Sequence, residues 1–393
     1  MTDPARLVEE TARRLVAEHP PATTPPAAFL GARFDAGLAW VHFPPGLGGL
    51  GVAAGLQGVA DAVVAAAGGP DPFDLNPMGY GMAAPTLLAH GSAALHERLL
   101  RPLYTCEEIW CQLFSEPGAG SDLAGLATRA VRTADGWLAT GQKVWTSKAH
   151  EARWALLLAR TDPDVPKHKG LTYFVLDMHD PGVEVRPLRQ LTGDAEFNEV
   201  WLRDAGLDDA WRLGEVGAGW RVAMTTLMNE RNAIGGGSIV RGTGSIGDAL
   251  ALWRDQPEPR DPVLRDRLVS LFARADALRL TGVRHAAGRG DAPAGPLGSL
   301  GKLVGAELNQ AVYEFCVDTL GMAGTRHPGY DIDPGADPAA RESLTWKLLR
   351  SRANTIEGGT AEVLRGVLAE RVLGLPGDLR ADKDRPWREV PRG

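Results

Sequence analysis

The hydrophobic spacing of this chain changes twice along its length, and this limits the folds that the chain can adopt. Residues 4–18 repeat apolar positions close to the spacing of a helical face, and segments at about 53–67, 82–90 and 93–103 continue that pattern. The Pro-rich stretch 20–27 is predicted to be a loop. The first hundred residues are therefore predicted to be helical.

From about residue 123 the spacing becomes that of strands. An Asp-Gly pair at 135–136 lies between alternating apolar and polar residues, which is a hairpin signal. Further short apolar runs are predicted to be strands at 154–159, 171–176, 183–186 and 197–202. Short strands at regular intervals are typical of a small antiparallel sheet or barrel.

After about residue 213 long helical patterns return. They lie at about 218–252, 263–287, 298–322, 340–356 and 361–372. Clusters of Pro and Gly separate them, as expected for the connections between helices. The chain is therefore expected to be mainly α-helical, with a β region in its middle.

The bulk composition indicates a soluble globular protein. The 393 residues are enough for two or three domains, and 44% of them are hydrophobic. The net charge of −7 gives no sign of a nucleic-acid or anionic-membrane partner. No run approaches the roughly 20 apolar residues that span a bilayer, and the N-terminus does not resemble a signal peptide. Cys106, Cys111 and Cys316 are too few for a disulfide framework and fit a reducing compartment without a metal site, so we expect a cytoplasmic protein.

A loop rich in small residues follows the first helical region. Residues 114–122 read Phe-Ser-Glu-Pro-Gly-Ala-Gly-Ser-Asp. Its glycines leave the backbone N–H groups uncovered, so that an anion or a flat ring can approach them, and Ser115 and Ser121 add hydroxyl donors. A simple turn remains the alternative interpretation.

A second segment, residues 141–147, reads Gly-Gln-Lys-Val-Trp-Thr-Ser at the end of the predicted hairpin. Trp145 lies beside two hydroxyls, those of Thr146 and Ser147. A flavin ring needs stacking on its face and hydrogen bonds at its edge, and this combination of side chains suits both needs. A tryptophan in the core of the β region is the alternative.

Four segments carry a resemblance in a fixed order along the chain: Ser115–Asp122, Gly141–Ser147, Leu213–Arg231 and Ile356–Pro376. From about residue 30 to about residue 376, the chain resembles the acyl-CoA dehydrogenase family of flavoenzymes, in particular its bacterial, actinobacterial-type members. The resemblance implies a mainly α fold with a middle β-barrel. The expected domains are an N-terminal helical domain at 1–110, a β-barrel at 111–212 and a C-terminal four-helix bundle at 213–393.

The resemblance implies an FAD-dependent enzyme that removes a proton alpha to a thioester while a hydride leaves the beta carbon for flavin N5. Such a reaction needs a carboxylate base on the substrate face opposite the flavin. Most members place the base where this chain has Gly358, and Glu357, one residue earlier in a tight turn, is a poor substitute. A minority place it on the first C-terminal helix before an arginine, which matches Glu230 and Arg231. Glu230 is therefore the predicted base, with a solvated, ion-paired glutamate as the alternative.

The FAD contacts implied by the resemblance come from three parts of the chain. Those along the isoalloxazine ring and its N5 edge are Leu113, Ser115, Trp145, Thr146 and Ser147. Those at the turn on the adenosine side are Thr360 and Glu362.

The resemblance also implies residues for the acyl-CoA substrate. Ser121 is expected near the pantetheine or the pyrophosphate, and Arg231 near the base or the thioester. The small residue Gly358 is expected to leave room for a branched or bulky acyl group.

One departure from the family pattern bears on partners. Members usually carry Arg-x-x-Phe-Gly, which binds flavin across a subunit interface, whereas residues 251–262 here contain no Phe-Gly. Arg254, Arg260 and Arg265 are candidates to replace the lost charge. The expected partners are an electron-transfer flavoprotein as acceptor and either identical subunits, as a homodimer or homotetramer, or a paralogous chain in a heterotetramer. Two alternatives stay open, a flavin oxidase or monooxygenase of the same fold and a non-catalytic partner subunit.

Overall fold

The computed structural model describes residues 3–235, 240–289, 298–327, 341–377 and 382–391. For residues 230–235 and 286–289 it describes the backbone but not the side chains. The chain folds into two compact units. The sheet-bearing unit comprises Met1–Pro187, Phe197–Asn229 and Ala381–Gly393. The helical unit comprises Leu188–Glu196 and Glu230–Arg380. The division into three domains stays a prediction.

Six helices open the sheet-bearing unit: α1 (Pro4–Glu18), α2 (Pro26–Asp35), α3 (Gln57–Ala66), α4 (Pro72–Leu75), α5 (Ala84–His90) and α6 (Ala93–Tyr104). Helical spacing predicts four of these six helices, α1, α3, α5 and α6, and it gives no prediction for α2 and α4. The loop predicted at 20–27 is wrong in its last two residues, because α2 begins at Pro26. Proline suits the first position of a helix, where its missing N–H is not needed for an intrahelical hydrogen bond.

Eight strands form one sheet: β1 (Trp110–Leu113), β2 (Arg129–Arg132), β3 (Trp137–Ser147), β4 (Trp154–Arg160), β5 (Leu171–Asp177), β6 (Val183–Leu188), β7 (Phe197–Leu207) and β8 (Arg212–Leu213). The strand order is β6-β7-β3-β2-β4-β5-β8, with β1 also paired to β4. The predicted closed barrel is wrong, because this path runs from β6 to β8 without joining its ends. The sheet is also mixed and not purely antiparallel as predicted. Two strands pair with β4 in the parallel direction, β1 along residues 154–157 and β2 at Arg160.

The sequence of β4 is a continuous apolar run because both faces of this strand are buried. All seven of its residues are buried. Leu156 and Leu158 face a cluster shared with the N-terminal helices, while Leu157 faces a second cluster on the other side of the sheet. Because both faces are covered, alternation between apolar and polar residues is not required.

The later helices are α7 (Gly219–Gly235), α8 (Ser245–Arg254), α9 (Pro262–Arg289), α10 (Gly298–Leu320), α11 (Leu344–Ser351) and α12 (Ala361–Arg371). The single helix predicted over 218–252 is two helices. Gly242 and Gly244 have φ of 77° and 69°, in the left-handed region that glycine adopts without steric cost, so α8 begins as a separate element. A core around Ile246, Leu308 and Phe315 holds α8 against α10.

Among the helices that the structure describes, none is both long enough and apolar enough to cross a membrane.

Candidate functional site

The small-residue loop begins with a tight turn in the sheet-bearing unit. Glu116 and Ala119 exchange backbone hydrogen bonds of 3.1 and 3.0 Å. Apart from the adjacent residues, no described atom lies within 4 Å of the point where a Cβ would stand on Gly118 or Gly120. The loop therefore presents uncovered backbone to open space, with Ser121 exposed beside it.

A buried ion pair joins this loop to β3. The side chain of Lys143 is 0% exposed, and its Nζ donates to Glu116 Oε1 at 2.9 Å and to the carbonyl oxygens of Phe114 and Leu158, each at 3.0 Å. Glu116 also accepts from the N–H of Thr128 at 2.9 Å. Burial alone would raise the pKa of Glu116, but the charge and hydrogen bonds around it outweigh burial and hold that pKa below its ordinary value.

Sequence reasoning missed this pair, although both partners stand in the two motif segments. Each segment holds a single charge among small and apolar residues, apart from the terminal Asp122 of the loop. A charge in such surroundings is buried only when it has a partner. That was the available signal for pairing Glu116 with Lys143.

Trp145 stands on a strained backbone. Its φ is 61°, and the register of β3 against β7 shifts between Lys143 and Thr146, which marks a β-bulge. Its side chain is 60% exposed and touches only the edge of Phe197 among the described aromatic rings, with ring centroids 6.2 Å apart. A positive φ at a bulky residue costs free energy, and such outliers cluster at ligand sites. The alternative interpretation, a tryptophan in the core of the β region, does not agree with this exposure.

The two hydroxyls after Trp145 differ in their surroundings. Thr146 is 1% exposed, and its Oγ1 has no hydrogen-bond partner within the described chain. Ser147 is half-buried and pairs with Phe197 of β7. A buried hydroxyl without a partner is uncommon, and it marks a position where a ligand edge can supply the missing acceptor or donor.

The two other ring-side candidates lie where β1 leads into the loop. Leu113 is fully buried in the sheet core, opposite Leu157 of β4, so it can reach a ligand only through its main chain. Ser115 is half-buried, and its carbonyl oxygen accepts from the N–H of Val144 at 2.9 Å. This bond places the loop directly beside the residue that precedes Trp145.

The backbone strain at Trp145 gives a stability prediction. Glycine normally destabilises a strand relative to alanine by about 0.5–1 kcal/mol. Because a positive φ costs an alanine roughly 1–2 kcal/mol, we expect Trp145→Gly to be more stable than Trp145→Ala by about 1 kcal/mol. Urea unfolding of the two variants without cofactor measures the difference. Trp201, which pairs in register with Gln142, is the control, and its Ala variant should be the more stable one. If the Ala variant were more stable than the Gly variant at both positions, the backbone of Trp145 would not be strained.

The helical unit contains the other predicted contacts. Thr360 caps α12 by accepting from the N–H of Val363 at 3.2 Å, and Glu362 is exposed in the first turn of that helix. Gly358 and Gly359 have φ of 63° and 97°, a conformation that favours glycine at both positions. Lys302 Nζ donates to the carbonyl oxygen of Gly359 at 2.7 Å and so holds this turn.

Glu357 precedes that turn and is already engaged. Its carboxylate pairs with Arg350 Nη2 at 3.1 Å and accepts from Asn354 Nδ2 at 2.7 Å. A cavity of about 620 Å³ in the same unit extends to Asn354 and Glu357. Its apolar wall comes from α8, α9 and α10 and includes Ile246, Phe272, Leu278 and Leu308.

Glu230 and Arg231 lie on α7, and their side chains are outside the described residues. The backbone still restricts the position of Glu230, because residues four apart on a helix share a face. The position one turn earlier is Thr226, which is fully buried, as is Val222 a further turn back.

Comparisons with known proteins agree with the motif segments. Residues 111–204 match the model of the acyl-CoA dehydrogenase middle domain, and residues 217–373 match that of the C-terminal domain. The chain is 45% identical over 296 residues to the acyl-CoA dehydrogenase FadE34 of Mycobacterium tuberculosis (strain ATCC 25618 / H37Rv), which covers 75% of this chain but only 39% of FadE34. It is 36% identical over 347 residues to the acyl-CoA dehydrogenase IpdE1 of the same strain, covering 88% of this chain and 86% of IpdE1. The solved Tcur3481-Tcur3483 steroid ACAD aligns with a TM-score of 0.73 and 26% identity over 95% of this chain and 98% of that one.

Proposed function

The chain belongs to the acyl-CoA dehydrogenase family of flavin-dependent oxidoreductases, and on that premise we propose that it catalyses α,β-dehydrogenation of an acyl-CoA thioester. The observation that carries the proposal is the bulge at Trp145. There an aromatic ring is held out from a strained backbone, next to the unpartnered hydroxyl of Thr146 and beside the loop that the Glu116–Lys143 pair secures.

The residues of the sheet-bearing unit fit FAD. Trp145 is exposed enough to lie against a flat ring, and Thr146 Oγ1 has hydrogen-bonding capacity to spare. We assign further ring contacts to Ser147 through its hydroxyl and to Leu113 and Ser115 through their main chain. When bound, FAD supplies the acceptor for the hydride that leaves the beta carbon.

In the helical unit we assign Thr360 and Glu362 to the adenosine side of FAD. Thr360 caps α12, and the free N–H groups at a helix start favour an electron-rich ligand. Ser121, exposed on the loop of the sheet-bearing unit, is assigned to the pantetheine or the pyrophosphate.

Glu230 is the proposed base that takes the alpha proton. Its position on α7 is one turn after Thr226 and two turns after Val222, both of which are fully buried. Arg231, the next residue, is proposed to lie near the base or the thioester. Glu357 suits the role less well, because Arg350 and Asn354 already occupy its carboxylate oxygens.

The proposed substrate has a branched or bulky acyl group. The cavity of about 620 Å³ in the helical unit has an apolar wall beside polar and charged side chains, and it extends to Glu357, just before Gly358. Pockets of this volume accommodate ligands of drug size. The steroid ACAD among the similar structures supports a polycyclic acyl-CoA as one member of this class.

The partner proposals rest on two surfaces of the helical unit. Along α9, the side chains of Val263, Val269, Leu280 and Val283 are exposed, which supports contact with another subunit. Three arginines are candidates to replace the lost Arg-x-x-Phe-Gly motif. One of them, Arg260, already donates hydrogen bonds to the carbonyl oxygens of Arg254 and Gln256. Arg254 and Arg265 have exposed side chains that a partner chain or FAD can reach.

We propose an oligomer of identical chains or a heterotetramer with a paralogous chain, and an electron-transfer flavoprotein as the acceptor. The steroid ACAD carries two joined chain names, which supports the mixed assembly. The absence of the Arg-x-x-Phe-Gly motif from residues 251–262 also supports a mixed assembly, because a paralogous chain can supply that motif.

The test is to purify the chain alone, record its visible spectrum, and add acyl-CoAs anaerobically. The panel contains short linear, branched and steroid side-chain thioesters. Bleaching of a yellow protein by the branched or steroid members is the expected result. Bleaching by short linear members only would refute the bulky acyl group. A chain that stays colourless until a paralogue is added would favour the non-catalytic subunit, and rapid reoxidation of the reduced flavin by air would favour an oxidase.

A further inference from the structure

Three buried hydroxyls form a continuous hydrogen-bonded chain through the sheet-bearing unit. Thr86 of α5, Tyr173 of β5 and Thr226 of α7 are each 0% exposed. Thr226 Oγ1 lies 2.8 Å from Tyr173 Oη and 2.9 Å from Thr86 Oγ1. Thr86 Oγ1 donates to the carbonyl oxygen of Met82 at 2.7 Å. Three separate elements of the chain therefore meet at Thr226.

The direction of these bonds follows from the last one. Thr86 gives its only proton to the Met82 carbonyl, so it accepts from Thr226. Thr226 then accepts from the Tyr173 hydroxyl. The carbonyl of Val222 is a second acceptor for Thr226, at a weaker 3.4 Å. Loss of the Thr226 hydroxyl would leave the Tyr173 hydroxyl without this acceptor in a core that excludes water.

Tyr173 also contacts the start of the small-residue loop. Its ring meets that of Phe114 edge to face, with centroids 5.7 Å apart. Phe114 directly precedes Ser115, the first of the loop's hydroxyl residues. Tyr173 thus touches the loop on one side and, through Thr226, α7 on the other.

We propose that Thr86, Tyr173 and Thr226 are positioning residues that set the orientation of α7 relative to the loop, and through α7 the position of Glu230. This inference rests on the proposed function, because Glu230 matters only if it is the base. Glu230 is one helical turn beyond Thr226, so a shift of that turn is transmitted to it. Apolar packing tolerates sliding of a helix, whereas hydrogen bonds are directional and restrict both distance and angle.

The expected kinetic effect is larger than the effect on binding. A misplacement of about 1 Å in a catalytic group can slow the chemical step about 100-fold. Substrate binding involves many contacts away from α7, so its dissociation constant should change little. A loss confined to the chemical step is what positioning predicts and what a general loss of stability does not.

The test compares Thr226→Val, which keeps the shape but removes the hydroxyl, with Thr226→Ser, which keeps the hydroxyl. Thr105→Val is the matched control, since Thr105 is also buried and donates to the carbonyl oxygen of Pro102 at 3.2 Å. Anaerobic stopped-flow mixing of each flavin-loaded variant with the best acyl-CoA of the panel gives the rate of flavin reduction and the substrate dissociation constant. Tyr173→Phe, which leaves the Thr226–Thr86 bond in place, is a fourth variant.

We expect the reduction rate of Thr226→Val to fall by about 10- to 100-fold, with a nearly unchanged dissociation constant. Thr226→Ser should recover most of the rate, and Thr105→Val should lose stability only. A Thr226→Val rate equal to that of the wild type, or an equal loss in Thr105→Val, would overturn the proposal. If Thr226→Val fails to fold, a Tyr173→Phe rate equal to wild type would overturn it instead. Failure of the proposed function itself has another signature, because the wild type would then not be bleached by any acyl-CoA.

Discussion

Glu230→Gln is expected to stop reduction of the flavin by acyl-CoA while the protein stays yellow. A positioned general base contributes about 10²- to 10⁴-fold to such a rate, and the variant should lose a factor in that range. The carboxamide has the shape of the carboxylate but cannot accept the alpha proton. Anaerobic bleaching measures the loss, and the shift of the flavin spectrum on adding substrate shows whether binding persists.

The matched control for this change is Glu215→Gln. Glu215 lies shortly before α7, its side chain is 87% exposed, and its variant should bleach at the wild-type rate. An undiminished rate in Glu230→Gln would remove Glu230 from the mechanism. If Glu357→Gln lost the rate instead, the base would be Glu357, one residue before the turn position of Gly358.

Lys143→Met is expected to cause the largest loss of stability of any single change considered. Removing one member of a buried ion pair leaves the other charge in the core and costs about 3–5 kcal/mol. Here the change also leaves the carbonyl oxygens of Phe114 and Leu158 without their donor. Urea unfolding at neutral pH measures the loss, and flavin content reports whether the loop remains in place.

Two further variants isolate the buried pair. Lys148→Met removes a partly exposed lysine that pairs with Glu151 at 3.1 Å, and a surface pair of this kind contributes only about 0–1 kcal/mol. The double change Lys143→Met with Glu116→Gln removes both buried charges and should recover part of the stability. Equal losses for Lys143→Met and Lys148→Met would show that the buried pair is not a main support of the fold.

The same pair predicts a pH dependence. The environment of Glu116 holds its pKa below the ordinary value, so the pair stabilises the fold above the pKa of an unfolded glutamate, about 4.3. That contribution is lost as the pH falls through the lower pKa of the folded state. The difference in unfolding free energy between wild type and Lys143→Met should therefore be largest at neutral pH and shrink as acid protonates Glu116, first in the variant, where burial raises its pKa, and below about pH 4 in the wild type. A difference that stays constant under acid would contradict the ionised state of Glu116.

The sequence by itself determined many of the local elements and the family. Apolar spacing located α1, α9 and the strands β4 and β5, because helix and strand periods are properties of short segments. The four motif segments located the candidate site residues for the same reason, since each segment is contiguous in the chain. Even the turn at 135–136 could be identified, because Asp-Gly favours a tight hairpin by its own backbone preferences.

Only the tertiary structure decided how these segments meet. The path of the sheet stays open because its described end strands, β6 and β8, do not pair with each other, and no local pattern records which strands share an edge. The positive φ of Trp145 comes from a bulge imposed by pairing with β7. The partners in Glu116–Lys143 and in Tyr173–Thr226 are 27 and 53 residues apart. Burial turns such distant polar groups into obligatory partners, because a charge or hydroxyl removed from water must be satisfied by whatever the fold brings beside it.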